Sequence, residues 1–350
     1  MKILQILIFP FSLLYGLILW VRNKLFDWGI FSQKSYDVPI ISVGNLNMGG
    51  TGKTPHIEYL IRLLKSEFSI ATISRGYGRK TKGYIKATLQ SSCEQIGDEP
   101  KQYKQKFRDV EVIVDENRNE GIKNILSENK NVNLILLDDA YQHRSVKPGL
   151  SILLTDYHKL FSSDFMLPTG TLREFRAGYK RADIIVVTKT PKVFSPILRK
   201  TIEAEINPLP HQKLYYSYID YCEMKEMPDI ENRPEVNKTY AILFFAGIAN
   251  VYPIEEHLRR QCEEFSSIKF PDHHKFSVKD IVKIRETFDN IASRNKIIIT
   301  TEKDAMRMDK PELLEALKGL PVFYVPIEIV FHTIENEEFN NEITKYVRKN

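Results

Sequence analysis

Two patterns in the sequence predict an α/β fold, with a parallel sheet that carries helices on both faces and a second, smaller α/β domain. After Pro39, short apolar runs alternate with longer stretches in which apolar residues recur at helical spacing. Most of the short runs are apolar at every position, which is typical of strands covered on both faces, as in a parallel sheet. The chain of 350 residues has room for about two domains at ~150 residues each.

The larger domain is predicted over residues 31–210, after an amino-terminal helix within residues 1–30. Its predicted strands are 38–43, 69–74, 110–114, 132–137, 150–155 and 183–188. Its predicted helices are 54–66, 116–129 and 194–205. Strand and helix units that repeat in this order wind into a layered sheet.

A polar segment separates the two predicted domains. Residues 206–238 contain four prolines and several tyrosines, and we interpret 211–238 as a linker or crossing segment. The smaller α/β domain is predicted over residues 239–350. Its predicted elements are a strand at 239–246, helices near 252–264 and 277–292, and strands at 296–300 and 321–329.

The composition is that of a globular protein and excludes several classes of function. Hydrophobic residues make up 43% and charged residues 27%, unlike a disordered or collagen-like chain. The net charge of +5 is too small to indicate nucleic acid as a partner, although it suits an anionic surface. Cys93, Cys222 and Cys262 show no metal-ligand spacing, so we expect unpaired thiols in a reducing compartment.

The segment Ile3–Val21 contains no charged residue. As a helix it would rise about 28 Å, close to the thickness of a bilayer's hydrocarbon core. No small-residue cleavage site follows it, which argues against a cleaved signal peptide, while a soluble core helix stays an alternative. Trp20 and Trp28, interleaved with Arg22 and Lys24, indicate an interfacial belt. We expect a membrane-associated helix that either spans the bilayer or lies in its interface, with the rest of the chain in the cytoplasm.

A glycine-rich phosphate-binding loop is predicted where the strand ending at Val43 runs into GNLNMGGTGKTP, residues 44–55. Glycines let backbone N–H groups turn around phosphate oxygens, and the following helix adds its positive end. Lys53 would reach the β- and γ-phosphates, and the Thr54 hydroxyl would bind Mg²⁺. The strict pattern fails only at Asn47, and the shorter pattern GGxGKT is intact. The predicted ATP-binding residues are Met48, Gly49, Gly50, Thr51, Gly52, Lys53, Thr54 and Pro55.

A pair of carboxylates agrees with that loop. Asp138 and Asp139 follow directly after a buried strand in VNLILLDDA, where a Walker-B pair holds Mg²⁺ and its water. Which of the two contacts the metal directly stays open. Together these motifs predict a P-loop NTPase-type sheet that binds ATP with Mg²⁺.

Two membrane-associated classes of protein use a loop of this kind. Partitioning and division-site ATPases act as switches and carry a lysine immediately before GGxGKT, where this sequence has Met48. That difference argues against a switch of this type, which remains the alternative function.

The second class matches along most of the chain. The motifs occur in this order: GNLNMGGTGKTP (44–55), SRGYGR (74–79), GDEP (97–100), LDDAYQHR (137–144), LPTGTLREF (167–175), VVTKTP (186–191), FPDHHKF (270–276) and TTEKDAMR (300–307). With the apolar amino-terminal helix, they resemble the tetraacyldisaccharide 4′-kinase family, the lipid A kinases of Gram-negative bacteria, to about residue 330. Ala140, Tyr141 and Phe175 stand where many members have Gly, Phe and Pro.

This resemblance implies an activity and a location. The γ-phosphoryl group of ATP would be transferred to the 4′-hydroxyl of an acylated glucosamine disaccharide 1-phosphate, giving lipid IVA. The enzyme would use Mg²⁺, work on the cytoplasmic face of the bacterial inner membrane and need no obligate protein partner.

The resemblance also assigns catalytic residues. It places the family's catalytic aspartate at Asp98, in what the sequence suggests is a glycine-bounded turn, and the motif Phe-x-Asp-His points to His273 rather than His274. A carboxylate near the acceptor hydroxyl would take its proton, and a histidine bonded to it would orient it or relay that proton. Because Asp98 and His273 lie in different predicted domains, their meeting would require domain closure.

Further site residues follow a proline–glycine turn and a second glycine-rich motif. Arg173 is expected to clamp phosphate and Glu174 to join the Mg²⁺ ligands, with an exposed ion pair as the alternative. Arg75, Tyr77 and Arg79 are expected to face the 1-phosphate or disaccharide of the substrate. The cluster Glu302, Lys303 and Asp304 either borders the nucleotide or is a solvated group of charges.

Overall fold

Two sheets organise the computed structural model, which describes residues 3–228, 230–231 and 240–349. The chain folds into two units, and each unit draws on more than one stretch of sequence. The first unit comprises Met1–Leu89, Tyr103–Ile219 and Ile329–Asn350. The second unit comprises Gln90–Gln102 and Asp220–Glu328.

The strands and helices follow one another in the α/β order expected. The strands are β1 (Ile40–Asn45), β2 (Ile70–Ser74), β3 (Ile85–Lys86), β4 (Glu111–Val114), β5 (Leu134–Asp138), β6 (Leu150–Asp156), β7 (Ile184–Thr188), β8 (Lys213–Tyr221), β9 (Lys225–Glu226), β10 (Ala241–Ala246), β11 (Glu264–Lys269), β12 (Lys296–Thr301), β13 (Val322–Val325) and β14 (Ile327–Phe331). The α-helices are α1 (Ile3–Asp27), α2 (Lys53–Leu64), α3 (Cys93–Ile96), α4 (Asp98–Lys106), α5 (Arg118–Glu128), α6 (Pro196–Ile206), α7 (Tyr252–Arg259), α8 (Val278–Asp289), α9 (Glu302–Arg307), α10 (Pro311–Leu317) and α11 (Thr333–Lys349). Short 3₁₀ turns lie at Phe161–Ser163 and Arg176–Arg181.

The first unit is built on a nine-stranded sheet in the order β14-β8-β7-β6-β1-β5-β2-β4-β3. The strands from β8 to β4 pair in parallel, and β3 pairs with β4 in the antiparallel direction. Every residue of β1, β2, β5 and β7 is buried. Such burial requires cover on both faces, which explains why these strands are apolar without alternation. The predicted α/β fold class is confirmed.

The second unit has a five-stranded sheet in the order β11-β10-β12-β13-β9. Its interior strand β10, between β11 and β12 and with the sequence AILFFA, is buried at every position. On one side, β10 packs with Ile281, Ile284 and Phe288 of α8 in a single apolar cluster. Helical spacing of these three residues puts them on one face of α8, which is the face that the sheet buries.

The structure differs from the predicted linker and from the predicted last strand. Within 211–238, Lys213–Tyr221 forms β8, a strand of the large sheet, because its four tyrosines and its isoleucine and leucine favour extended, half-buried backbone. Residues 229 and 232–238 of that segment lie outside the described residues. The predicted strand 321–329 divides at Pro326 into β13 and β14, which belong to different sheets.

Other differences concern segments that the sequence patterns did not resolve. Residues 90–102 group with the second unit and residues 329–349 with the first, unlike the predicted boundaries. Helix α7 ends at Arg259 rather than near residue 264, where the edge strand β11 begins. Helix α11 was not predicted at all.

Helix α1 runs over Ile3–Asp27 and is tied to the rest of the first unit by polar contacts. Ser12 Oγ lies 2.7 Å from Thr169 Oγ1, Asn23 Nδ2 donates to Glu174 Oε2 at 2.9 Å, and Arg144 pairs with Asp27 at 2.8 Å. Large apolar side chains of α1 are exposed at Leu7, Phe11, Leu13, Leu14, Leu17, Ile18, Trp20 and Val21. None of the helices in the described part of the chain combines the length and the apolarity that crossing a bilayer requires.

Candidate active site

The predicted phosphate-binding loop joins β1 to α2. Gly49 and Gly52 have φ angles of +117° and +87°, which residues other than glycine rarely adopt. Gly52 precedes the first residue of α2, Lys53, so the loop leads directly to the positive end of a helix. This geometry suits the binding of an anion, as the motif predicts.

Buried polar side chains hold the loop in place. Thr188 Oγ1 donates to the carbonyl oxygen of Thr51 at 2.9 Å. His56 Nδ1 lies 2.7 Å from the carbonyl oxygen of Gly52, and His56 Nε2 lies 3.1 Å from Ser217 Oγ. A carbonyl can only accept, so Nδ1 carries the proton of the neutral ring and Nε2 accepts from the hydroxyl. Burial lowers the pKa of His56 to about 4, which keeps the ring neutral.

Lys53 lies in a cluster of charges at the carboxyl ends of the central strands. Its Nζ is 3.3 Å from Asn45 Oδ1 and 3.7 Å from Asp139 Oδ1. Arg173 donates to both Asp139 oxygens at 3.0 and 3.1 Å and to Asn45 Oδ1 at 2.6 Å. Lys53, Asp139 and Arg173, all predicted site residues, are thus brought together, and Asn45 joins them without having been predicted.

The two predicted Walker-B carboxylates have different surroundings. Asp138 is buried opposite Val43 of β1 and accepts a 2.9 Å hydrogen bond from the Tyr103 hydroxyl. Asp139 follows β5 with a φ of +49°. Burial alone would raise the pKa of Asp139, but the Lys53 and Arg173 cations outweigh it and hold that pKa below its ordinary value. Asp139 is therefore an ionised carboxylate.

Oxygen donors suited to Mg²⁺ are present at this point, although one predicted ligand is engaged elsewhere. Thr54 lies in the first turn of α2, next to Lys53. Among the described residues, no group of three or more His, Cys, Asp or Glu side chains is arranged to hold a metal ion by itself, whereas nucleotide-bound Mg²⁺ needs only one or two carboxylates besides phosphate and water. Asp138, Asp139 and Thr54 fit such a site.

Glu174 does not fit the metal role that the sequence suggested. Its buried carboxylate accepts hydrogen bonds from Arg181 at 2.9 Å to each oxygen, from Gln142 at 3.1 Å and from Asn23 at 2.9 Å. A carboxylate that already accepts four hydrogen bonds has little capacity left for a cation. Glu174 instead ties α1 to the loop that carries Arg173.

A second cluster lies in the second unit, around Asp98. This residue is the first of α4 rather than part of a loop, so the predicted turn is wrong and the carboxylate sits at a helix amino terminus. Arg307 Nε donates to Asp98 Oδ2 at 2.8 Å. Burial alone would raise the pKa of Asp98, but His273 and Arg307 outweigh it and lower that pKa to about 2. Asp98 is an anion at neutral pH.

His273 belongs to the same cluster, with its Nδ1 3.7 Å from Asp98 Oδ2. Its φ is +58°, an uncommon backbone conformation for a residue other than glycine. Hydrogen bonds from His273 N to the carbonyl oxygen of Gly247 and to Asp272 Oδ1 hold it there. Asp98 and His273 belong to one unit, so their meeting does not depend on the domain closure that the sequence suggested.

The three residues of the SRGYGR motif differ in their surroundings. Arg75 is exposed, and Tyr77 is 71% exposed. The Arg79 side chain is instead buried within the first unit. There it pairs with Glu116 at 2.8 Å and donates to the carbonyl oxygen of Gly83. Its contacts are those of a structural arginine, unlike the predicted substrate contact.

Sequence reasoning missed Arg307, although the residue ends the motif TTEKDAMR. Its neighbour Asp304 is fully buried and bonds to Thr301 Oγ1 at 2.7 Å, and Glu302 is buried near Gln102. Only Lys303 is half-exposed, paired with Glu99 at 3.2 Å. A solvated charge cluster is therefore wrong for most of this group. The only signal in the sequence was an arginine at helical spacing from Asp304.

Comparisons with known proteins identify the family to which the chain belongs. A family profile described as LpxK, tetraacyldisaccharide-1-P 4′-kinase, matches residues 4–348. A tetraacyldisaccharide 4′-kinase of Bacteroides thetaiotaomicron is 46% identical, with 98% of this chain and 93% of the relative covered. The one from Flavobacterium johnsoniae is also 46% identical, over 100% and 99%. The crystal structure of the "apo" form of LpxK from Aquifex aeolicus in complex with ATP is 28% identical and superposes with a TM-score of 0.74, covering 99% of this chain and 100% of that one.

Proposed function

Since the chain belongs to the tetraacyldisaccharide-1-P 4′-kinase family, we propose that it transfers the γ-phosphoryl group of ATP to the 4′-hydroxyl of a tetraacyldisaccharide 1-phosphate, giving lipid IVA. The observation that carries this proposal is a phosphate-binding loop with Lys53 beside Asp139 and Arg173, in a chain that matches named kinases of lipid A biosynthesis along its whole length.

The first unit supplies the groups that bind the triphosphate. Backbone N–H groups of the loop from Met48 to Thr54 and the amino terminus of α2 would surround the phosphates, with Lys53 at the β- and γ-phosphates. Arg173 would leave Asp139 and clamp the transferred phosphoryl group, since a guanidinium matches phosphate oxygens with two donors. These residues stabilise negative charge as it shifts toward the leaving ADP.

Mg²⁺ would be held by Asp138, Asp139 and the Thr54 hydroxyl together with phosphate oxygens. The ion would neutralise charge on the β- and γ-phosphates during transfer. Tyr103 holds the Asp138 carboxylate through its hydrogen bond. Arg118 faces both aspartates, and burial lowers the pKa of this arginine to about 10 even though Asp138 and Asp139 raise it.

The second unit supplies the groups that act on the acceptor. The Asp98 carboxylate would accept the proton of the 4′-hydroxyl as its oxygen bonds to phosphorus and the bond to ADP breaks. His273 would orient Asp98 or take the proton onward. Arg75 and Tyr77, which are exposed, would contact the phosphate or sugar of the lipid substrate.

The enzyme would work on the cytoplasmic face of the bacterial inner membrane. The broad apolar surface of α1 supports contact with a lipid interface, and Arg22 and Lys24 would stay near anionic headgroups. The acyl chains of the substrate would remain in that interface while its sugar reaches the site.

One assay tests the proposed activity. The purified protein is incubated with γ-labelled ATP, Mg²⁺ and a tetraacylated glucosamine disaccharide 1-phosphate, and label is measured in the lipid fraction. We expect label in a lipid with a second phosphate. Hydrolysis of ATP with no labelled lipid, accompanied by ATP-dependent dimerisation, would favour the switch-type ATPase instead.

A second experiment tests the membrane contact without removing α1, whose polar contacts hold the first unit together. In Leu14→Ser/Ile18→Ser, two side chains of α1 that are 58% and 60% exposed lose their apolar surface. We expect the variant to pellet less with anionic vesicles than wild type does. The matched control, Val193→Ser/Ile197→Ser, removes exposed apolar side chains near α6 and should pellet like wild type; equal pelleting of all three proteins would contradict the contact.

A further inference from the structure

A single guanidinium, that of Arg307, lies between Asp98 and His273. Arg307 Nε donates to Asp98 Oδ2 at 2.8 Å, and Arg307 Nη2 lies 3.0 Å from His273 Nδ1. The direct separation between His273 Nδ1 and Asp98 Oδ2 is 3.7 Å, which is too long for a hydrogen bond. In this arrangement the two residues are therefore linked through Arg307.

The guanidinium is itself held on its other side. Arg307 Nη1 donates to the carbonyl oxygen of Gly247 at 3.0 Å and to Asp304 Oδ1 at 2.9 Å. Asp304 is anchored in turn by the N–H of Gly247 and by Thr301 Oγ1. Only 6% of the Arg307 side chain is exposed. A planar group with four bonded donors in a buried position has one orientation available.

The contact with Arg307 determines which nitrogen of His273 carries the proton. Arginine has donors only, so His273 Nδ1 must accept with its lone pair. The proton of the neutral ring then sits on Nε2, the nitrogen that lies 3.9 Å from Asp272 Oδ2. A proton could reach Nδ1 only if the Nη2 donor moved away.

We propose that Arg307 is a positioning residue for phosphoryl transfer, which holds Asp98 toward the acceptor hydroxyl and fixes His273 as the Nε2–H tautomer. This inference rests on the proposed role of Asp98 as the group that takes the hydroxyl proton. In this role Arg307 does not itself take the hydroxyl proton; it sets the geometry and charge around Asp98 and His273.

The charges around Asp98 give Arg307 a measurable signature. Asp98 faces two cationic residues of α9, Arg307 and Lys303, and also His273 in the loop after β11. It faces Cys93 of α3 as well, and burial together with Asp98 raises the pKa of that thiol to about 12. Cys93 thus stays an uncharged thiol, and Lys303 also forms an ion pair with Glu99 at 3.2 Å. Removing the Arg307 cation should therefore raise the pKa of Asp98 and move the acid limb of kcat/KM to higher pH.

The test compares Arg307→Gln and Arg307→Lys with wild type over a range of pH. For Arg307→Gln we expect kcat to fall about 10- to 100-fold, the KM for ATP to change less than about twofold, and the acid limb to move up by about one pH unit or more. Arg307→Lys keeps the positive charge but cannot bond to Asp98 and His273 at the same time. Its kcat should therefore fall, while the acid limb of its kcat/KM profile stays near that of wild type. A fall in kcat with no shift of the limb in Arg307→Gln would overturn the proposal, as would wild-type kinetics.

A matched control and a wild-type measurement separate positioning from folding. Arg285 also donates hydrogen bonds in the second unit, to the carbonyl oxygens of Ala316 and Lys318, and Arg285→Gln should leave the pH profile unchanged. Nitrogen-15 spectra of histidine-labelled wild type, assigned with His273→Gln, should show the Nε2–H tautomer of His273 near neutral pH. The Nδ1–H tautomer or a protonated ring would overturn the proposal even if both Arg307 variants failed to fold.

The variant Asp98→Asn distinguishes this inference from the proposed function. If Asp98→Asn retains wild-type turnover, the proposed role of Asp98 is wrong and the inference fails with it. If Asp98→Asn loses turnover while Arg307→Gln keeps it, only the role of Arg307 is wrong.

Discussion

Each unit contains an aspartate paired with an arginine, but the two pairs differ in exposure. In the first unit the aspartate follows strand β5, and in the second unit it is the first residue of helix α4. The Arg173–Asp139 pair of the first unit is 24% and 38% exposed, and both residues have further polar neighbours in an open cluster. The Arg307–Asp98 pair of the second unit is 6% and 19% exposed, and buried bonds to Gly247 and Asp304 fix the arginine. The proposed phosphate clamp requires the open pair to exchange its partners for phosphate, whereas the contacts of the buried pair hold its geometry. The difference suggests that one arginine binds a ligand and the other positions a neighbour.

The largest effect is expected from the buried cluster. Asp98→Asn removes the proposed proton acceptor without changing its shape, so kcat should fall by about 10³-fold while the affinity for ATP stays within about twofold. Steady-state kinetics and calorimetric titration of ATP measure the two quantities. Glu99→Gln, which neutralises the next carboxylate of α4, serves as the control and should retain nearly normal kcat. Equal losses in both variants would argue against a special role for Asp98.

In the open cluster, the carboxylate next to Lys53 should control the response to metal. Asp139→Asn should lower kcat by about 10²-fold and move the Mg²⁺ dependence of the rate to higher concentration, because an amide binds the cation less well than a carboxylate. Rates measured across a Mg²⁺ titration provide the check. Asp156→Asn changes a carboxylate at the end of β6 that pairs with Lys189, and it should leave the titration midpoint in place. An unchanged midpoint in Asp139→Asn contradicts the metal role.

A smaller effect is expected when Arg173 is replaced by a residue that keeps the positive charge but lacks the two parallel donors of a guanidinium. Arg173→Lys retains a cation that can reach Asp139 but not the paired donors, so kcat should fall about tenfold. Arg176→Lys is the matched control, since Arg176 donates only to the carbonyl oxygen of Asp164 among its hydrogen bonds in the described residues. If Arg173→Lys is as active as wild type, the proposed phosphate clamp is wrong.

The smallest effect concerns stability rather than turnover. The pKa of His56 is about 4 in the folded chain and about 6.5 in an unfolded one. Between these values the unfolded state binds more protons, so the free energy of unfolding should fall by up to about 3 kcal/mol as the pH drops from about 6.5 to 4. Urea unfolding at several pH values measures this slope, which should be shallower in His56→Gln. An equal slope in wild type and His56→Gln would contradict the prediction.

The parts of the site that residue pattern predicted without the family resemblance are those contained in one short stretch. The phosphate loop and the Asp138–Asp139 pair are contiguous motifs attached to apolar strands, and pattern alone identifies both. Asn45 and Arg307 act through contacts that pattern cannot show: Arg307 is 209 residues away from Asp98. Arg173 and Glu174 are adjacent, yet only the first faces Asp139, because the chain turns the second toward Arg181.

The fold shows the same limit. The central strands were predicted because their burial on both faces makes them apolar at every position. Strand β8 was hidden because its tyrosines and charged residues lie beside prolines, and only pairing with β7 reveals it. Pro326 interrupts an apolar run that the sequence presents as one strand, and the two halves join different sheets.

The order of elements along the chain has a consequence for how the protein is made. Residues 329–350, which include most of strand β14 and all of helix α11, belong to the large sheet's unit, yet the ribosome synthesises them after residues 220–328. During translation the edge of β8 therefore stays unpaired until β14 is made. The second unit emerges in that interval and can fold by itself. A released chain that ends at residue 328 should therefore have a second unit that resists protease better than its first.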